Sequence, residues 1–229
     1  MRHFPYKYVR TYITVYMCTI ICKAGERVKE DRRKERHEQI CRAAYELLAT
    51  HGYGGTSMLY IARAAKASNE TLYRWYGDKD GLFRAMVRDN AAETRMILSD
   101  AIQAQADPRQ TLERVAPIFL TMLLGERAIL LNRAAAADPN GALGAAISAG
   151  GRNEIMPLFE GVMERLCQGK AVTAKQATQW FLGLLIGDLQ IRRVINDASA
   201  LSELQAQMRS REALEVFYRL IDGSLPAAG

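Results

Sequence analysis

From Arg33 almost to the end of the chain, apolar residues recur every three to four positions, interrupted by short clusters of Gly, Pro, Asn and Ser. No segment sustains the alternation that a half-buried strand requires, so the chain is expected to be all-α. The first helix is expected from about Arg33 to Thr50, with Ile40, Ala44, Leu47 and Leu48 on one stripe, ended by His51-Gly52-Tyr53-Gly54-Gly55. Thr56 is a candidate N-cap for a short helix through Ala65, and Ser68 for another over about Asn69 to Tyr76. Two short helices thus flank the turn Lys66-Ala67-Ser68. A longer helix is expected from Lys79, with Leu82, Phe83, Met86 and Val87 inward. Later breaks fall at Asp107-Pro108, Gly125, Asp138 to Gly141, Gly169 to Thr173 and Asn196 to Ser202, with a capping box at Thr173-Ala174-Lys175-Gln176 and an apolar helix from Ala174 to Ile195. With 229 residues, the chain can bury a core that needs no disulfide or metal.

Charge is distributed unevenly. Residues 1–89 hold 17 Lys+Arg against 10 Asp+Glu, and residues 90–229 hold 14 against 15, so the whole excess of +6 sits in front. Local positive charge is what binds polyanions, and a solvated basic face gives the same count. The four cysteines, Cys18, Cys22, Cys41 and Cys167, are too scattered for a disulfide framework and read as reduced thiols of a cytoplasmic protein. Cys18 and Cys22 lack a further His or Cys at ligand spacing, so neither a metal site nor a cofactor is expected. The apolar segment Tyr12–Cys22 is shorter than the ~20 residues of a membrane span, so no membrane partner is expected. It is compatible with strand, weak helix or disorder. Residues 1–32 are expected to be an appendage outside the fold, disordered or arising from an over-long gene start.

Two short helices about a three-residue turn match the helix-turn-helix, whose second helix enters the DNA major groove. In Asn69-Glu70-Thr71-Leu72-Tyr73-Arg74-Trp75-Tyr76, Leu72 and Tyr76 are expected to face the core, leaving Asn69, Glu70, Thr71, Tyr73 and Arg74 on the outer side. Asn suits adenine, Arg suits guanine or phosphate, and hydroxyls hold phosphates. The backbone N–H groups after Ser68 offer a positive helix end to one phosphate. An ordinary helical surface is the competing reading for each.

The run Thr56-Ser57-Met58, Ile61-Ala62, Ala65, Ser68, Thr71-Leu72-Tyr73, Tyr76-Gly77-Asp78-Lys79-Asp80-Gly81-Leu82 resembles the DNA-binding domain of TetR-family transcriptional regulators. The resemblance covers about Arg33 to Asn90. It implies a three-helix DNA-binding head over 33–90 and a larger helical ligand-binding and dimerising body over 91–229. It further implies contacts at Thr71, Tyr73 and Lys79, with Asn69, Glu70, Arg74 and Trp75 varying with the operator. Lys66 and Ala67 depart from the family's usual Gly and branched apolar residue, and Lys66 is a further phosphate candidate; Thr56 and Ser68 complete the DNA-binding set.

Trp180-Phe181-Leu182-Gly183-Leu184-Leu185-Ile186-Gly187-Asp188, with Asp138-Pro139 upstream, is similar to the AefR-type subgroup. Gly183 and Gly187 permit close helix approach, and with Phe181, Leu184, Leu214, Phe217, Tyr218 and Ile221 they are the candidate dimer interface. Ligand sensing is implied by the resemblance alone. Its candidates are Phe119, Met122, Met156, Phe159, Met163 and Trp180 for the apolar wall and Asn132, Arg133 and Arg152 as polar anchors; plain core is the competing reading. The chain carries no Walker loop, HExxH or nucleophile elbow, and its only histidines are His3, His37 and His51, so an enzyme is not expected. The expected function is a homodimeric regulator, a repressor of a palindromic double-stranded DNA operator, released by an apolar or amphipathic small-molecule inducer.

Overall fold

The computed structural model describes the backbone of residues 6–223 and the side chains of residues 29–223. Among the described residues there are twelve α-helices and no strand. α1 (Tyr6–His51), α2 (Met58–Ala64), α3 (Asn69–Tyr76) and α4 (Lys79–Asn90) form the N-terminal part. α5 (Ala92–Gln103), α6 (Pro108–Leu124), α7 (Glu126–Ala136), α8 (Ala142–Ile147), α9 (Asn153–Leu166), α10 (Ala174–Ile186), α11 (Leu189–Val194) and α12 (Glu203–Ile221) follow, with a π-helical turn over Ser148–Arg152.

Two boundaries differ from expectation. α1 starts at Tyr6, not near Arg33, so the backbone of residues 6–32 is helical and continuous with the first helix of the head. The apolar run from Ala174 to Ile195 is two helices, because Gly187 turns the chain at φ +51. With ψ −130 this positive φ lies outside the left-handed helical region that a residue with a Cβ can enter, so the position suits glycine. Both capping boxes, at Thr173/Gln176 and Ser202/Gln205, close the starts of α10 and α12 by reciprocal side-chain and backbone bonds.

The head core gathers Ile40, Ala44 and Leu48 of α1, Ile61 of α2, Leu72 of α3 and Leu82, Phe83 and Met86 of α4. Leu131 and Ala134 of α7 and Leu143 and Ala146 of α8 pack into the same cluster. The head therefore rests on the body across an apolar seam and is not hung from a linker. The body core is threaded by a chain of rings, Phe119–Phe159–Phe181–Phe217–Tyr218, with successive centroids 5.1, 5.9, 5.5 and 5.7 Å apart. Each aromatic pair adds about 0.5–1.5 kcal/mol beyond its buried area, so the chain locks α6, α9, α10 and α12 together. Among the described residues no single helix is long and apolar enough to cross a membrane; α6 and α7 pass that test only as a pair bent by 51°.

Candidate nucleic-acid interface and cavity

The turn between α2 and α3 is built around Lys66, which sits at φ +50. A lysine there stores strain that Gly would avoid, and this is why the Lys66-Ala67 departure matters. Arg36 of α1 steadies the turn: its Nη1 donates to Ala65 O and Lys66 O, each at 3.4 Å. Ser68 caps α3 as expected, its Oγ accepting from Thr71 N at 3.1 Å and lying 2.8 Å from Thr71 Oγ1. Leu72 is fully buried, which anchors the helix and turns its other side outward. Tyr73 is 50% exposed, and Asn69, Glu70 and Arg74 are exposed too, with Glu70 and Arg74 paired at 4.0 Å along the helix. An exposed pair of this length holds Arg74 weakly, leaving its guanidinium available.

Three expected contact residues are placed differently. The N-cap of α2 is Ser57, not Thr56. Thr56 is 3% exposed and donates its hydroxyl to Gly52 O at 2.8 Å, so that hydroxyl is committed inside the fold. Lys79 is turned inward: its Nζ donates to Tyr53 O (2.9 Å) and Thr56 O (3.0 Å) and lies 4.0 Å from the centre of the Tyr53 ring. It pins the α1–α2 loop to the start of α4. Trp75 is half-buried against the head core, with Arg33 over its face at 5.5 Å.

Beneath the head lies a cavity of about 510 Å³, within the range of small-molecule sites. Val87, Asn90 and Ala91, at and just beyond the end of α4, form its roof. Phe119, Met122, Leu131, Ile155, Met156 and Leu182 line it with apolar surface, while Asn132, Ser148, Arg152 and Gln190 contribute polar groups. Five of the expected pocket residues, Phe119, Met122, Asn132, Arg152 and Met156, are thus brought together. Four are not. Phe159 and Met163 are fully buried in the body core, Trp180 is 41% exposed on the outside of α10, and Arg133 is occupied by Val194 O (2.8 Å), Arg193 O (2.9 Å) and Asn196 Oδ1 (2.5 Å). The π-helical turn supplies Ser148, Gly151 and Arg152, and a Cβ on its Gly150 would meet Arg88 Cγ at 3.2 Å and Val87 Cγ1 at 3.3 Å. A side chain here would require Arg88 and Val87 to give way by a few tenths of an ångström, so glycine suits the close approach of this turn to α4.

The expected dimer face also divides. Phe181, Leu214, Phe217 and Ile221 are buried within the chain, in the ring stack or beside it, and Tyr218 donates its hydroxyl to Arg109 O at 3.3 Å. The first four form no outer surface, and Tyr218 is half-buried. Gly183 and Gly187 also line the cavity. The outer side of α10 and α12 instead shows Trp180, Leu204 (65% exposed), Met208 (54%) and Val216, beside Gly183 and Leu184.

One cluster was not anticipated. His37 Nε2 hydrogen-bonds Asp89 Oδ2, His37 Nδ1 lies 2.7 Å from Tyr76 Oη, and Cys41 Sγ is 3.6 Å from His37 Nε2 and 3.7 Å from Asp89 Oδ2. Burial, then the nearby Asp89 carboxylate, pushes the Cys41 thiol up to about 12. Burial likewise raises Tyr76, so its phenol stays neutral. The only sequence signal was the i, i+4 spacing of His37 and Cys41.

Residues 40–86 match the tetR family of bacterial regulatory proteins. The chain is 45% identical over 49 residues to the HTH-type transcriptional regulator HbdR of Aromatoleum sp. (strain CIB), covering 21% of each protein. It is 29% identical over 70 residues to the HTH-type transcriptional repressor AcnR of Corynebacterium glutamicum, covering 31% of this chain and 37% of AcnR. These matches span about a fifth and about a third of the two relatives' own lengths. The crystal structure of a TetR transcriptional regulator from Agrobacterium tumefaciens superposes with a TM-score of 0.62 at 26% identity, covering 83% of this chain and 98% of that one. The tetR-type head and the helical body thus recur together in that fold.

Proposed function

We propose that the chain is a ligand-responsive, DNA-binding transcriptional regulator, a repressor, that grips a palindromic operator as a homodimer and lets go when a small molecule fills the cavity. The observation that carries this reading is the shared helix α4. It packs in the head core through Leu82, Phe83 and Met86, and its end roofs the cavity through Val87 and Asn90. A ligand that prefers one placement of α4 shifts the head, and its differential affinity for the two placements is the coupling free energy. DNA contact falls to Asn69, Glu70, Tyr73 and Arg74, with Lys66, Ser68 and Thr71 at the turn. Lys79 acts by holding the α1–α2 loop, and Thr56 and Trp75 support the head from within. The tetR-family match and the repressor AcnR favour this assignment over an enzyme or a protein-only adaptor.

The occupant of the exposed face on α10 and α12 is a second copy, which buries Trp180, Leu184, Leu204 and Met208 and sets two heads about 34–36 Å apart, one DNA turn. The cavity's walls and polar groups fit an apolar or amphipathic inducer. Similarity of Trp180–Asp188 to the AefR-type subgroup is part of the same reading. Selection of bound fragments from genomic DNA, followed by light scattering on the complex, tests it. Specific fragments with two-fold symmetry held by two copies are expected; a monomer, or no specific fragment, overturns it.

A further inference from the structure

His37 and Cys41 stand one turn apart on α1, and Asp89 reaches them from the C-terminal end of α4. Their donor atoms, one nitrogen, one sulfur and one oxygen, all lie within 4.8 Å of one another. We propose that these three side chains are a binding site for a borderline-soft divalent cation of the zinc type, with water as the fourth ligand.

The donor set is the first argument. Imidazole, thiolate and carboxylate are the three ligand types zinc takes, and a thiolate with a carboxylate neutralises a dication. The distances are the second. With metal–sulfur, metal–nitrogen and metal–oxygen bonds of about 2.3, 2.1 and 2.0 Å at tetrahedral angles, sulfur lies about 3.6 Å from nitrogen and about 3.5 Å from oxygen. The observed separations are 3.6 Å and 3.7 Å, so two edges of the tetrahedron are already set. Only the His37–Asp89 edge, now a direct hydrogen bond, has to open. Asp89 is the member free to do so, with its side chain 46% exposed at the end of its helix, whereas Cys41 is 6% exposed and fixed in the core.

Support around the ligands is the third argument. With Nε2 on the metal, His37 keeps its proton on Nδ1 and donates it to Tyr76 Oη, 2.7 Å away. A hydrogen bond of this kind fixes ring orientation and tautomer at metal sites. Exposure of Asp89 supplies the entry path and the water position. On binding, the Cys41 S–H bond breaks, its proton passes to solvent, and the electron pair left on sulfur forms the metal bond; nothing is oxidised or reduced. The site joins α1, α4 and, through Tyr76, the last residue of α3, so an ion there braces the joint between the exposed helix and the helix that roofs the cavity.

The test is cobalt(II) titration of the full chain after removal of metal by chelator, read as thiolate-to-cobalt charge-transfer absorption. One cobalt per chain is expected, displaced by zinc, and zinc alone is expected to raise the melting temperature. Cys41→Ser should abolish the band and Asp89→Asn should weaken binding at least about 10-fold. Tyr76→Phe, which removes only the second-layer bond, should weaken it by about 10-fold. Circular dichroism checks each variant's fold, and if Cys41→Ser does not fold the exposed Asp89→Asn carries the test. No thiolate band in the folded wild type overturns the proposal. A band of undiminished affinity in Cys41→Ser does so equally, by placing the metal on another cysteine. Neither result depends on DNA binding.

Discussion

Gly81 is the third residue of α4, a position where alanine normally improves a helix by about 1 kcal/mol. Here the opposite sign is expected. A Cβ on Gly81 would lie 1.8 Å from Tyr76 O, the carbonyl of the last residue of α3, and 3.2 Å from Asp78 Oδ1. Backbone has to yield by more than an ångström, because real Cβ contacts stay above about 3.0 Å. Overpacking of this kind costs about 1–3 kcal/mol, more when backbone is the obstacle, and it outweighs the propensity gain. With backbone as the obstacle the cost lies at the upper end, about 3 kcal/mol, so net destabilisation of Gly81→Ala is about 2 kcal/mol, or a melting temperature lower by about 4–8 °C for a chain of this size. Gly144 in α8 is the control, since a Cβ there meets nothing within 4 Å. Gly144→Ala should raise the melting temperature by about 2–4 °C. Thermal unfolding followed by circular dichroism reads both. If Gly81→Ala melts at or above wild type, the close approach of α3 to α4, and with it the placement of the exposed face of α3, is wrong.

Lys66→Gly relieves a positive φ and should stabilise the head by about 0.5–1 kcal/mol in chemical denaturation, while lowering the salt dependence of DNA binding by about one unit of slope. Arg193 is 9% exposed and donates to Leu124 O (3.0 Å), Ala198 O (3.2 Å) and Glu126 Oε2 (3.4 Å), so Arg193→Ala orphans the C-terminal carbonyl of α6 and should cost about 2–4 kcal/mol by urea titration. Asp222 is held below its ordinary value of 3.8 by its hydrogen bond to Lys170, then by that to Arg109. A lowered carboxyl adds stability above its unfolded value and loses it as pH falls through the folded one. Asp222→Asn should therefore melt below wild type at pH 6, with the gap closing as pH falls below 3.8.

How far the sequence could be read follows from which interactions are local. Ser68 and the box at Thr173 are legible because a cap is decided within four residues, and the same local signal, Ser202 with Gln205 three residues on, marks the box that the reading of the sequence passed over. The buried side of α3 followed from Leu72 alone. Thr56 and Lys79 were misplaced because each is claimed by carbonyls of the α1–α2 loop, a partnership set by three-dimensional closure. The two faces of α12 posed a harder problem. Leu214, Phe217 and Ile221 and the opposite Leu204, Met208 and Val216 are both apolar, so periodicity marks two stripes without saying which is inside. The ring stack decides it, and the stack requires knowing that α6, α9, α10 and α12 meet. Of the pocket candidates, those on the cavity side of α6, α7 and α9 were found, whereas Phe159 and Met163 lie a partial turn further into the core. Asp89 sits 48 residues from Cys41, so no spacing rule links them.

The most direct test of the central claim is fluorescence anisotropy of the full chain on its selected operator, comparing wild type with the Tyr73→Ala, Arg74→Ala double variant across a salt series. Both side chains are exposed and outside the core, so helicity and copy number should hold. The account predicts wild-type affinity that falls steeply with salt and a loss of at least about 10-fold in the variant, from about 1–3 kcal/mol per base contact. Unchanged affinity in the double variant, with the fold intact, would contradict it.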